Sequence, residues 1–131
     1  MEILTERAAE IVLISFLGIT FVQSGLDKVF DWNGNLSWLK SHFEKSPLSR
    51  VVPALFFILT VTELSAGILC VFGLIQLLRG AGDDPAFWAA ALSCLSLLML
   101  IFGQRMAKDY DGARTIAIYF IPAVFLLYLL Q

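Results

Sequence analysis

One carboxylate lies deep inside an apolar stretch of the sequence. Glu63 stands about twelve residues into the apolar run that begins near residue 51, which is roughly 18 Å along a helix axis at 1.5 Å per residue. A carboxylate at the centre of a bilayer costs on the order of 2.5–3.5 kcal/mol, so this group must be protonated, paired with a cation or reached by water. Lys28 and Arg105 are the predicted cations, because long side chains at helix ends can reach inward.

Further polar side chains are predicted at the same end of a helix bundle. When four spans are threaded antiparallel, the end of the first span meets the end of the third span and the connection that follows it. The candidate ligand-binding or proton-carrying residues are Gln23, Ser24, Lys28, Glu63, Gln104 and Arg105, with Asp27, Asp109 and Arg114 as secondary candidates. A buried ion pair that only fixes the register of two helices is the alternative interpretation.

The residue types present exclude several kinds of chemistry. The single histidine, His42, lies outside the apolar runs, so this chain alone cannot hold a haem between two histidines. Cys70 and Cys94 lie in different runs and form no Cys-x-x-Cys pair; whether they touch stays open, and two small buried apolar residues are the preferred interpretation. No metal-ligand spacing, phosphate-binding glycine loop or nucleophile elbow occurs. We therefore expect no metal site and no covalent cofactor, and we assign no catalytic residue.

The composition shows what surrounds these residues. The chain has 131 residues, of which 59% are hydrophobic and 15% charged, whereas soluble domains average about 45–50% apolar and about 25% charged residues. Its length allows one domain, 1–131, and its apolar content predicts an integral membrane protein. A net charge of −2 without a basic run excludes nucleic acid as an expected partner. The acidic start of the chain does not fit a secretory signal peptide, so we expect none.

The apolar runs predict an all-α, integral membrane four-helix bundle. Transmembrane helices are predicted at about 8–27, 51–79, 85–107 and 113–131, because the runs are long and lack the alternation of strands. With four spans, both termini lie on the side of the Arg79 connection. The opposite side carries most of the cations, and the positive-inside rule places that side in the cytoplasm.

The connection between the first two spans predicts an amphipathic segment at the membrane interface, at about residues 32–47. Its apolar face comprises Leu36, Leu39 and Phe43, with Trp38 beside them, and its polar face comprises Lys40, Glu44 and Lys45. Trp32 and Trp38 are expected at headgroup depth. An ordinary soluble loop with scattered aromatic residues is the alternative.

Three short motifs stand out along the chain. The first is Phe-Val-Gln-Ser-Gly-Leu-Asp-Lys-Val-Phe-Asp at residues 21–31. The second is Thr-Glu-Leu-Ser-Ala-Gly at 62–67, followed by Phe-Gly-Leu at 72–74, and the third is Phe-Gly-Gln-Arg-Met-Ala-Lys-Asp-Tyr-Asp-Gly-Ala at 102–113. The first two resemble the end of the first helix and the second-helix element of the DoxX family of small four-helix membrane proteins. The third is similar to the end of the third helix in a branch of DoxX-like proteins.

The resemblance implies one function, and an analogy at the level of the fold suggests a second; neither needs a redox centre in the chain itself. Some DoxX members are small subunits of a membrane thiosulfate:quinone oxidoreductase, which implies an accessory or quinone-interacting subunit that meets a redox partner protein and is not an enzyme on its own. The quinone head group would then lie in a cleft near Gln23, Lys28, Glu63, Gln104 and Arg105, where a carboxylate and a cation can supply a proton and stabilise negative charge. The alternative is a non-enzymatic protein that binds a lipid-like molecule or assists assembly. We expect a multi-pass protein of the bacterial inner membrane.

Overall fold

The computed structural model describes residues 2–131, which form helices joined by short connections and contain no strand. Its elements are α1 (Glu2–Glu6), α2 (Ala8–Phe30), α3 (Trp32–His42), a 3₁₀ turn (Ser49–Val51), α4 (Val52–Leu78), α5 (Asp84–Met106) and α6 (Tyr110–Leu130). Four of these helices, α2, α4, α5 and α6, are long and apolar enough to cross a membrane. The predicted all-α four-helix membrane bundle is confirmed.

The four long helices match or exceed the thickness of a bilayer. They contain 23, 27, 23 and 21 residues, which corresponds to roughly 32–40 Å against a hydrocarbon core of about 30 Å. Helix α2 continues to Phe30, so Asp27 and Lys28 lie on its last turn and not in a loop. Helix α6 begins at Tyr110, because the Asp109 carboxylate accepts a hydrogen bond from the Gly112 amide at 2.9 Å and caps that end.

Helix α4 packs against α2 on one side and α5 on the other, and α6 completes the bundle against α5 and α2. Glycines allow these close contacts. A Cβ at Gly67 would come within 3.0 Å of the Val22 backbone nitrogen on α2, and a Cβ at Gly73 would lie 2.8 Å from the Ala86 Cα on α5. Close backbone approach of this kind stabilises helix association in lipid.

The apolar residues are distributed as expected for a protein in a bilayer. The core of the bundle contains small buried side chains, including Ala66, Cys70 and Ala90. Large apolar side chains point outward instead; Phe57 is 60% exposed and Ile68 66% exposed. Such an exterior is costly in water but suits acyl chains, so the exposed surface supports the membrane assignment independently of helix length.

Helix α3 packs against the first turns of α4. The Trp32 ring lies 4.3 Å from the Phe56 ring, measured between centroids. Leu39 and Phe43 are partly covered, whereas Lys40 is exposed, so the segment has the two faces that its sequence indicates. Its depth relative to a bilayer stays a prediction.

An ion-pair cluster ties the opposite end of the bundle together. Arg7, just before α2, donates to Glu10 Oε2 at 2.7 Å and to Asp83 Oδ2 at 3.0 Å. Asp83 belongs to the connection between α4 and α5, so Arg7 links two separate parts of the chain. The hydrogen bond and charge of Arg7 hold the pKa of Asp83 below its usual range.

Candidate functional site

The intramembrane carboxylate forms a compact polar triad with two residues of α2. Lys28 Nζ lies 2.8 Å from Glu63 Oε2, and the Ser24 hydroxyl donates to the same oxygen at 3.1 Å. Lys28 Nζ also donates to Ser24 Oγ at 2.7 Å. Glu63 is 1% exposed and Lys28 18% exposed. The triad Ser24–Lys28–Glu63 therefore satisfies a deeply buried charge, which removes most of the cost of placing it there.

Helix geometry explains why these three residues meet. Ser24 and Lys28 are four residues apart, so they share one face of α2. Close packing brings that face against α4, because Gly25 lies so near Leu64 that a Cβ would come within 2.4 Å of its side chain. Lys28 sits in the last turn of α2, so its long side chain reaches inward from the membrane face while its amine meets the buried carboxylate.

A second polar cluster joins α3 to the α5–α6 connection. His42 Nε2 lies 3.1 Å from Gln104 Oε1 and 3.4 Å from Asp109 Oδ2. The His42 ring stacks on Trp38 with 4.5 Å between centroids. This His42–Gln104–Asp109 cluster fixes the end of α3 over the end of α5, and it holds the Gln104 side chain in one orientation.

An apolar groove of about 280 Å³ lies beside this second cluster. It is formed by α3, the start of α4 and the end of α5. Its lining includes Trp38, Phe43, Leu55, Leu59, Leu100 and Gln104. Gln104 is the amide side chain of that lining, and Trp38 adds an aromatic ring with an indole N–H. The groove therefore offers an apolar channel between two spanning helices with one amide at its end.

The structure separates the residues that the sequence predicted as one site. Ser24, Lys28 and Glu63 meet at the α2–α4 contact, whereas Gln104 and Asp109 meet at the α3–α5 contact.

The remaining predicted residues lie outside both clusters. Gln23 and Asp27 are exposed. Arg114 forms an exposed ion pair with Asp111. Arg105 is exposed and lies over the Tyr110 ring at 5.3 Å, so the prediction that it pairs with Glu63 is wrong; only Lys28 has that role within residues 2–131.

His42 is the functional candidate that the sequence interpretation missed. It lies outside the apolar runs, where the sequence predicts no buried charge. The sequence can place it at the membrane face that also carries Gln104 and Asp109, but no local pattern shows that it contacts them. Among the described residues, no group of three or more His, Cys, Asp or Glu side chains is arranged to hold a metal ion.

The two cysteines are free and buried. Cys70 Sγ lies 4.0 Å from the Ser93 hydroxyl across the α4–α5 contact. Ser93 in turn donates to the Ala89 carbonyl at 2.7 Å. Both cysteines thus occupy packing positions among small residues, and neither lies in the polar clusters.

Together, the bundle and its intramembrane charge pair define a small multi-pass integral membrane protein with four spanning helices. The model of the DoxX family matches residues 11–82, which include α2 from its fourth residue onward, all of α3 and all of α4. This chain therefore belongs to the DoxX family. The matched region contains the whole Ser24–Lys28–Glu63 triad and His42, whereas Gln104 and Asp109 lie beyond it. No curated protein and no solved structure matches the chain.

Proposed function

We propose that this protein is an accessory, quinone-interacting subunit of a membrane-associated oxidoreductase in the inner membrane of a bacterium. The observation that carries the proposal is the groove between α3, α4 and α5. Its volume of about 280 Å³ is close to the lower end of ligand pockets, at about 300 Å³. A quinone combines a long apolar tail with a ring whose two carbonyl oxygens accept hydrogen bonds, which are the two features that this groove complements.

Gln104 is the residue that meets the quinone ring in this proposal. Its amide N–H groups are donors, and a donor held at the ring oxygen stabilises the negative charge that develops there on reduction. The 3.1 Å contact from His42 orients the amide, so His42 acts as a positioning residue. Electrons come from a partner protein carrying a flavin, haem or iron–sulfur group.

The Ser24–Lys28–Glu63 triad has a structural role in this proposal. It lies at the α2–α4 contact, and none of its residues lines the groove. By fixing α4 against α2, it holds one wall of the groove in place. The ligand site proposed here therefore differs from the one expected from the sequence. It keeps Gln104, adds His42 and leaves out the Ser24–Lys28–Glu63 triad.

The test is quinone binding by the purified protein. Trp38 lines the groove, so a bound quinone should quench its fluorescence, and Trp38→Phe should remove most of that signal. Gln104→Leu should weaken binding about tenfold, which corresponds to ~1.4 kcal/mol for a lost hydrogen bond. Gln23→Leu is the matched control, because Gln23 is an exposed amide on α2. Absence of binding, or equal effects of the two leucine variants, would contradict the proposal.

A lipid-binding or assembly function is the second candidate. The groove lining is almost entirely apolar, which also suits the acyl chain of a lipid. Native mass spectrometry of protein extracted gently from its own membrane separates the two functions. A stoichiometric quinone or a redox-active partner favours the oxidoreductase subunit, whereas a bound lipid without a redox partner favours the second candidate.

A further inference from the structure

Helix α3 forms one wall of the groove and is attached to the bundle at its two ends. At its start, the Trp32 ring packs on the Phe56 ring of α4. At its end, His42 contacts Gln104 and Asp109. None of the residues of α3 is fully buried, so these side-chain contacts hold the helix in place. The segment is therefore a strap across the bundle, with an aromatic anchor at one end and a polar contact at the other.

The residues that receive the end of the strap belong to one rigid turn. Lys108 adopts a left-handed backbone conformation with a φ of 61°. Its amide donates to the Arg105 carbonyl at 3.1 Å, and the Asp109 amide donates to the Gln104 carbonyl at 2.9 Å, which is the bonding pattern of a Schellman motif at the end of α5. Asp109 Oδ1 accepts from the Gly112 amide and caps α6. The other carboxylate oxygen, Oδ2, is left to face the strap.

The contact between the strap and this turn depends on a proton. His42 Nε2 lies 3.4 Å from Asp109 Oδ2, with 20% and 30% of the two side chains exposed, so the imidazole is open to water. A neutral imidazole has one N–H to donate, whereas an imidazolium also carries the charge of an ion pair. Between about pH 5 and 8, histidine is the side chain that ordinarily changes charge, while carboxylates ordinarily stay ionised.

The other charged groups near this contact are exposed or paired elsewhere. Arg105 of α5 lies over the Tyr110 ring, and Asp111 of α6 pairs with Arg114. Helix α4 has no titratable side chain before Glu63. The exposed charged residues of the neighbouring connections and of α3 itself are Lys40, Glu44, Lys45, Arg50 and Lys108. The imidazole and its carboxylate partner therefore dominate the response of this end of the bundle to pH.

We propose that the contact between His42 and Asp109 is a pH-operated latch that sets how tightly α3 closes over the groove. When His42 carries a proton, the ion pair holds the end of α3 on the rigid turn. When His42 loses that proton, the attraction weakens and α3 loosens about its Trp32 anchor. Phe43 limits the movement, because its ring lies 3.5 Å from the position of a Cβ at Gly103. The latch goes beyond the proposed function, since it operates whichever molecule enters the groove.

The test is hydrogen–deuterium exchange of the purified protein in micelles at about pH 5 and about pH 8, the range in which histidine titrates. No ligand is added. Protection factors, which compare each amide with an unstructured peptide at the same pH, are measured for residues 36–43. They should be about threefold higher at the lower pH, the size expected for a partly exposed ion pair. Residues 120–127 of α6 contain no titratable side chain and should show no such change.

Two variants and a matched control assign the effect to the latch. Asp109→Asn removes the charge but keeps the cap of α6, because asparagine is as good a cap as aspartate, and it should abolish the pH dependence. His42→Gln keeps a donor for Gln104 and should also make the protection of α3 independent of pH. Asp111→Asn removes a carboxylate that pairs with Arg114, so the pH dependence should remain.

Equal protection at the two pH values in the unchanged protein, or greater protection at pH 8, would overturn the latch. So would an unchanged pH dependence in Asp109→Asn, or its loss in Asp111→Asn. Because no ligand is present, these outcomes are separate from those of the quinone experiment. A pH-dependent strap without quinone binding supports the latch and refutes the quinone site, whereas quinone binding with a pH-independent strap does the reverse.

Discussion

Replacing Lys28 by methionine should strongly destabilise the bundle, because it leaves Glu63 buried without its cation. The carboxylate is 1% exposed, and the lysine amine at 2.8 Å is its charged partner. Breaking a buried ion pair by removing one partner costs about 3–5 kcal/mol, whereas replacing both partners by apolar residues is often neutral or stabilising. Lys28→Met alone should therefore lose about 3 kcal/mol or more, and Lys28→Met combined with Glu63→Met should recover most of that loss.

The measurement is the free energy of unfolding in mixed micelles, with sodium dodecyl sulfate as denaturant and helical circular dichroism as readout. Ser24→Ala removes one hydrogen bond to the charged group and should cost about 1.5–3 kcal/mol. Lys40→Met is the matched control, because Lys40 is exposed on α3, and its effect should stay below about 0.5 kcal/mol. The reasoning is refuted if Lys28→Met costs less than about 1 kcal/mol, or if the double variant is less stable than Lys28→Met.

Three further predictions concern packing, pH and the cysteines. Gly73→Ala should destabilise the bundle by about 1–3 kcal/mol in the same assay, because its Cβ would lie 2.8 Å from the backbone of α5. Gly103→Ala should be tolerated, because its Cβ would meet only side-chain atoms of one aromatic ring, at 3.5 and 3.8 Å. Asp83→Asn should lower stability at neutral pH by less than about 1 kcal/mol, because the carboxylate is partly exposed. Since Arg7 lowers the pKa of Asp83 in the folded state, the difference between this variant and the unchanged protein should persist above the ordinary value of 3.8 and disappear as pH falls through the lowered pKa; a difference that grows in acid would contradict the ion pair. Replacing both cysteines by alanine should leave quinone binding unchanged. A loss of binding with folding intact would show that the quinone site does not lie in the groove.

Hydrophobicity and the cost of buried charge were enough to predict the bundle and its ion pair. Four long apolar runs have few alternatives to spanning helices, because backbone polar groups must be satisfied within each segment in lipid. A lone carboxylate in such a run demands a partner, and Lys28 was among the two cations predicted for Glu63. The three short motifs together also indicated the family, which the match to residues 11–82 confirms.

The division of the polar residues into two clusters was not predictable from the sequence. Threading antiparallel spans estimates the depth of a residue along the bundle, but not the direction in which it points around the axis. Lys28 and Gln104 end up near the same membrane face while facing different neighbours, α4 and α3. Arg105 follows Gln104 by one position, which turns it about 100° around the helix and away from Glu63.

The placement of His42 depends on tertiary packing that no local pattern encodes. Its contacts are made to Gln104 and Asp109, which are 62 and 67 positions further along the chain. The same dependence applies to the groove, which exists only because α3 is laid against the ends of α4 and α5. The sequence does not show where α3 lies, so from the sequence alone the apolar residues of the groove look like ordinary lipid-facing positions.

The two partners of the buried ion pair lie on different spanning helices, Lys28 on α2 and Glu63 on α4. This arrangement has a consequence for membrane insertion. During synthesis, the lysine of α2 reaches the membrane well before the carboxylate of α4. On its own, α4 presents the translocon with a charge that insertion scales place at about 2.5–3.5 kcal/mol. Beside α2, the same carboxylate finds two donors on one helix face. The first two spans should therefore enter the lipid as a preassembled hairpin, so the order in which the chain is made becomes part of how it acquires its fold.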